Sequence, residues 1–121
     1  CGQRDMRDVI DGCEKGYEGC IEALDIFVYA IQKYIGAYAA AMNGVNAVVF
    51  TAGIGENVPQ VREKVLANFS YLGLKIDKRA NKLHKTIITS KISKVKALVI
   101  HTDEEKVIAS DTFEILKAKK K

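Results

Sequence analysis

The 121-residue chain is predicted to fold as an α/β domain with at least two parallel strands. Three observations predict this. Helix-periodic apolar segments alternate with short β-branched runs along the chain. Two of those runs lead at once into residues that open a helix, the order expected of parallel strands joined by crossovers. With 48% apolar and 28% charged residues, the chain also has enough apolar side chains to bury a core.

The strongest helical signal runs from about Glu18 to Asn43, where Ile21, Leu24, Phe27, Val28, Ile31, Tyr34, Ile35, Tyr38 and Met42 follow an i, i+3, i+4, i+7 rhythm. Gly44 suits the left-handed residue that ends many helices. The small-residue run from Gly36 to Ala41 offers a face on which another backbone could pack closely. Val45 to Phe50 is then a β-branched run suited to a strand buried on both faces. Thr51 to Asn57 reads as a glycine loop, and Pro59 suits the first turn of a helix through Val61, Val65, Leu66 and Phe69 that Gly73 breaks. Thr86–Thr89 and Ala97–Ile100 read as short strands, and a last helix opens at Thr102–Glu105 and runs to about Leu116.

Composition excludes several classes. No apolar run approaches the roughly 20 residues of a membrane-spanning helix, and the start, Cys-Gly-Gln-Arg-Asp, does not read as a signal peptide. Beginning at Cys1 without Met, the chain is expected to be a piece of something longer. Residues 1–60 carry four basic and eight acidic side chains, and residues 61–121 carry fifteen basic and seven acidic. The excess lies between Lys75 and Lys96 and in Lys117, Lys119, Lys120 and Lys121. It reads as a solvated lysine surface rather than a nucleic-acid site, because no aromatic platform interleaves it and lysine outnumbers arginine. Cys1, Cys13 and Cys20 lack paired spacing and read as reduced thiols of a cytoplasmic protein.

Three segments could carry chemistry. Gly53-Ile54-Gly55-Glu56-Asn57 lies between a buried strand and a helix, where glycine lets a ligand approach the backbone. It is neither a Walker A motif nor a Rossmann fingerprint, and ligand-free glycine turns are common. Thr102 and Glu105 read as a capping box, which leaves Asp103 and Glu104 as extra carboxylates able to serve Mg²⁺ through water. Arg4-Asp5-Met6-Arg7-Asp8 reads as solvated charge pairs, or as a nucleotide contact through Asp5 and Arg7. His84 and His101 have no partner at a triad or zinc spacing.

In order and spacing, four segments together resemble the C-terminal part of the acetate and propionate kinase family. They are Asp5-Met6-Arg7-Asp8, Tyr34-Ile35-Gly36-Ala37-Tyr38, Phe50-Thr51-Ala52-Gly53-Ile54-Gly55-Glu56-Asn57, and Thr102-Asp103-Glu104-Glu105 with Ile108-Ala109. The resemblance covers nearly the whole chain. It implies the C-terminal portion of a ribonuclease H-like, actin-like ATPase fold, a mixed sheet flanked by helices. It also implies reversible transfer of the ATP γ-phosphoryl group to acetate, giving acetyl phosphate and ADP. Asp5, Met6 and Arg7 would then face the adenosine, Gly53, Ile54, Gly55, Glu56 and Asn57 would form the nucleotide loop, and Glu104 would be the magnesium carboxylate. Propionate is the alternative acyl substrate, and a non-catalytic nucleotide-binding or dimerisation module is the alternative role. A homodimer is implied, with no nucleic acid and no membrane as partner.

The chain departs from the family pattern at Arg4, where the family usually has a small residue, at Ala52, where it has glycine, and at Asp103, where it has asparagine. The resemblance also implies that the arginines, histidine and acidic residue acting on the phosphoryl group, and the acyl pocket, precede this segment. No catalytic residue is therefore expected among these 121, and the isolated chain is expected to turn over poorly.

Overall fold

A computed structural model describes residues 1–118, the side chains of Glu104 and Ala118 excepted. Lys119, Lys120 and Lys121 of the basic tail lie outside the described residues. Helix α1 spans Met6–Glu14 and α2 spans Glu18–Ala41. Strand β1 (Ala47–Phe50) leads into the short helix α3 (Ala52–Asn57) and then α4 (Pro59–Leu66). A 3₁₀ segment (Ala67–Leu72), helix α5 (Lys78–Lys82), strand β2 (Lys96–Val99) and helix α6 (Glu104–Ala118) complete the order.

The α/β class and the parallel pairing hold: β1 and β2 run parallel, with Val48 opposite Ala97 and Phe50 opposite Val99. The two-stranded sheet is parallel, and two isolated antiparallel bridges, Ile76–Thr89 and Ile87–Leu98, lie outside its strands. The segment expected as a strand at Thr86–Thr89 reaches only that bridging state. It still bonds to β2, with the Ile88 N–H donating to Ala97 O and the Val99 N–H to Thr86 O.

Val61, Val65, Leu66 and Phe69 form the centre of the core with Ile88, Val95 and Ala97, and Leu24 and Val28 of α2 close it from above. Asp5 caps α1 by accepting from the Arg7 N–H at 2.8 Å. Pro59 opens α4 as expected, and Gly73 ends the following turn at φ 77°. Gly12 lets α1 lie against α2, because a Cβ there would overlap Cys20.

Three expectations about burial need correction. Ile21, Tyr34, Tyr38 and Met42 fit the helical rhythm of α2 but are exposed: Tyr38 and Met42 lie about five turns from buried Cys20 and Leu24, on the same face, where the described residues leave the helix uncovered. A Cβ at Gly36 would meet nothing among the described residues, so no backbone packs on the small-residue face there. Strand β1 is not buried on both faces: Phe50 is buried while Val49 is 50% exposed. Among the described residues, no helix is long and apolar enough to cross a membrane. The three cysteines are free thiols.

Candidate functional site

Both parallel strands end on the same side of the molecule, and the chain turns into a helix after each. The first turn is not an open loop as expected but the six-residue helix α3. Ala52 enters it at φ 59°, in the left-handed region that an alanine occupies at a cost of about 1–2 kcal/mol. Its two glycines differ in function. A Cβ at Gly55 would sit 3.3 Å from the Phe50 carbonyl carbon, so Gly55 allows α3 to fold back onto the end of β1. A Cβ at Gly53 would meet nothing within 4 Å. Gly53 thus leaves space open beside the strand ends.

That space is two adjoining clefts. One, of about 440 Å³, lies between α3 and the start of α6 and is lined by Gly53, Glu56, Asn57, His101, Asp103 and Glu105 among others. The second, of about 450 Å³, lies between α3 and the start of α1 and is lined by Asp5, Met6, Arg7, Gly53, Ile54 and Asn57 among others. Gly53 and Asn57 border both. Three segments far apart in sequence thus converge on one strand edge, where ligands bind in open α/β sheets.

The side chains there are more committed than the sequence suggests. The Asp5 carboxylate caps α1 and also pairs with Arg7, whose Nη2 donates at 2.7 Å and Nε at 3.1 Å. The Arg7 guanidinium holds the Asp5 carboxyl down to about 2. The Asn57 amide donates to Gly53 O at 2.9 Å and closes the α3 turn. Glu56 accepts from the Thr102 N–H and the Thr102 hydroxyl, both at 2.9 Å, and lies 2.5 Å from His101 Nδ1. The Thr102 N–H first, and then the His101 ring, hold Glu56 down to about 2, and the carboxylate raises His101 above its ordinary value.

The expected capping box at Thr102 and Glu105 is therefore corrected. Thr102 spends its hydroxyl on Glu56, and Asp103 accepts from the Lys106 N–H at 3.0 Å in the capping role. The first helical residue of α6 is Glu104, the magnesium candidate, whose side chain lies outside the described residues.

Sequence reasoning missed the residues that support α3. Arg62 is fully buried, and its Nη1 donates to Gly55 O at 2.8 Å and to Glu56 O at 2.7 Å. Its Nε and Nη2 donate to Asn81 Oδ1 at 2.7 Å and Asn81 O at 2.9 Å. Burial lowers the Arg62 pKa from its usual value. His84 and His101, unpaired by sequence spacing, both meet Glu56: His84 Nδ1 donates to the Glu56 carbonyl at 2.8 Å. A readable signal existed for Arg62. It lies on the Val58, Val61, Val65 and Phe69 stripe, a charged residue on an apolar helix face.

A sequence profile of the Acetokinase family matches residues 2–110. The chain is 51% identical over 116 residues to the acetate kinase of Pseudothermotoga lettingae, covering 94% of this chain and 29% of that protein. The crystal structure of Porphyromonas gingivalis acetate kinase superposes with a TM-score of 0.82 at 43% identity, over 93% of this chain and 29% of that one. A propionate kinase from Francisella tularensis gives 0.80 at 37% identity, over 87% of this chain and 27% of that one. The chain spans less than a third of the length of these relatives.

Proposed function

The chain belongs to the Acetokinase family, and on that premise we propose that it forms the nucleotide-facing part of a kinase that phosphorylates acetate reversibly with ATP. The observation that carries this reading is the meeting of two clefts at Gly53 and Asn57, with Asp5, Met6 and Arg7 along one and the start of α6 along the other. A nucleotide laid across both would have its adenosine beside Met6 and the Asp5–Arg7 pair, and its phosphates over Gly53 toward α6. Ile54 lines the adenosine side, and Gly55 serves indirectly by seating α3 on β1.

Two roles differ from those the resemblance implies. The Glu56 carboxylate is bonded to His101 and Thr102, so it ties the loop to α6 rather than reaching for the ligand. The Asp5 carboxylate shapes the cleft through its pairing with Arg7.

Mg²⁺ would accompany the phosphates, and it commonly takes one or two carboxylates together with substrate oxygens. Glu104, between Asp103 and Glu105 of the α6 cleft, offers hard oxygen donors of that kind. The metal would neutralise phosphate charge while the loop orients the nucleotide. Groups acting on the transferred phosphoryl would come from outside these 121 residues. Propionate is the second acyl substrate, supported by the likeness to the Francisella enzyme. The free thiols agree with a reducing cytoplasm, and the exposed apolar side chains of α2 suit a homodimer.

Calorimetric titration with Mg-ADP tests the nucleotide reading. The chain is expected to bind at millimolar or tighter dissociation constant. Gly53→Val is expected to abolish binding while leaving thermal unfolding unchanged, because its side chain enters open space. Undiminished binding in Gly53→Val, or no binding by the unaltered chain, overturns the assignment.

A further inference from the structure

Arg62 presents a cost that packing does not explain. It is fully buried on the core face of α4, beside Val61, Val65 and Leu66. Its guanidinium donates to Gly55 O, Glu56 O, Asn81 O and Asn81 Oδ1, all of them neutral acceptors. Among the described residues, no carboxylate lies within ion-pair distance of it. An apolar side chain of similar volume would fill the space without desolvating a charge. A guanidinium does what that side chain cannot: it bonds two successive carbonyls at the end of α3, which the helix itself leaves without partners.

The geometry points to Arg62, acting with His84, as a positioning device that grips the nucleotide loop from within the core by its Gly55 and Glu56 carbonyls. This rests on the nucleotide reading above. Each carbonyl shares a rigid peptide plane with the next N–H, so fixing Gly55 O and Glu56 O fixes the backbone entering Glu56 and Asn57. Both of those residues line the α6 cleft. His84 adds a second donor to Glu56 O through the tautomer protonated at Nδ1, the shorter of that nitrogen's contacts at 2.8 Å against 3.4 Å to Arg62 Nη2. It does so while standing at φ 50°, an unfavourable region for its backbone. Asn81 locks the far side, since its Nδ2 donates to Pro59 O at 2.9 Å and its carbonyl receives Arg62 Nη2. Arg62 lines neither cleft and touches no ligand position.

The test combines Mg-ADP titration with residue-resolved amide hydrogen exchange on the whole chain, for Arg62→Met, Arg62→Lys and the exposed-site variant His84→Gln. Arg62→Met is expected to weaken Mg-ADP binding about tenfold or more, as loss of a charged hydrogen-bonding group does. The amides of residues 53–57 should exchange faster, while those of Val65 and Ile88 keep their protection. Arg62→Lys should recover part of the affinity, because an ammonium can reach one carbonyl but not both. His84→Gln should shift the same amides and the affinity in the same direction by roughly threefold, for one neutral hydrogen bond. If Arg62→Met does not fold, His84→Gln decides alone. Unaltered affinity and exchange at 53–57 in a folded variant overturn the proposal, as does a uniform rise in exchange across the core. If the unaltered chain binds no Mg-ADP yet the variants loosen residues 53–57 selectively, the nucleotide reading fails and the grip stands.

Discussion

At position 52 the backbone stands at φ 59°, where a Cβ crowds the following carbonyl oxygen, and an alanine occupies it. A glycine would occupy that dihedral without the Cβ penalty. Ala52→Gly is expected to raise stability by about 0.5–1 kcal/mol, the left-handed penalty less the entropy glycine loses on folding. That corresponds to a midpoint about 2–5 °C higher in a thermal melt, and a lower midpoint would contradict the account. The neighbouring glycines were legible as a pair but not in their division of labour. A Cβ at Gly55 would stand 3.3 Å from the Phe50 backbone, whereas Gly53 faces open space. Which of two glycines meets a neighbour depends on how the helix is seated, and spacing along the chain carries no such information. The partners of Arg62 were illegible for the same reason: Gly55 and Glu56 come from one turn of chain and Asn81 from another.

Between elements, the Glu56 carboxylate latches α3 to the segment entering α6 through Thr102 and His101. Its pH dependence has two limbs. Glu56 is held below its ordinary 4.5, to about 2, so its contribution is full above pH 4.5 and is lost as pH falls toward 2. His101 is raised above 6.5, so its contribution is full below that pH and is lost as pH rises through the raised value. The latch is therefore complete between about pH 4.5 and 6.5. In an NMR titration the His101 ring is expected to show a midpoint above 6.5 that falls back in Glu56→Gln. A midpoint indifferent to that substitution would refute the latch. The elements themselves were largely legible, since periodicity reports a helix or strand wherever apolar side chains meet the core. Exceptions followed the physics: α5 hides in a lysine-rich stretch where the apolar signal is thin, and α3 reads as a loop because its glycines are poor helix formers.

Across the whole molecule, α2 is covered unevenly, and its exposed apolar side chains lie both opposite the buried face and further along it. Ile26, Tyr29, Tyr34, Tyr38 and Met42 stand at 61–66% exposure, an apolar surface that the described residues leave uncovered. If a second copy covers it, sedimentation is expected to show a dimer across the micromolar range, and Tyr34→Glu should convert it to a monomer. A monomeric unaltered chain would refute that role for these side chains. By itself, the sequence determined the α/β class, the parallel strand pair, the helix that follows each strand and the family. Each of these is written in local periodicity or in an unbroken motif, so neighbouring residues suffice to specify it. Only the tertiary structure decided which side chains are free to meet a ligand. It assigned Asp5 to Arg7, Glu56 to Thr102 and His101, Asn57 to Gly53, and Arg62 to the carbonyls behind them. A polar group bonds to whatever donor or acceptor the fold brings within about 3 Å, and that proximity is a property of the folded chain rather than of residue order.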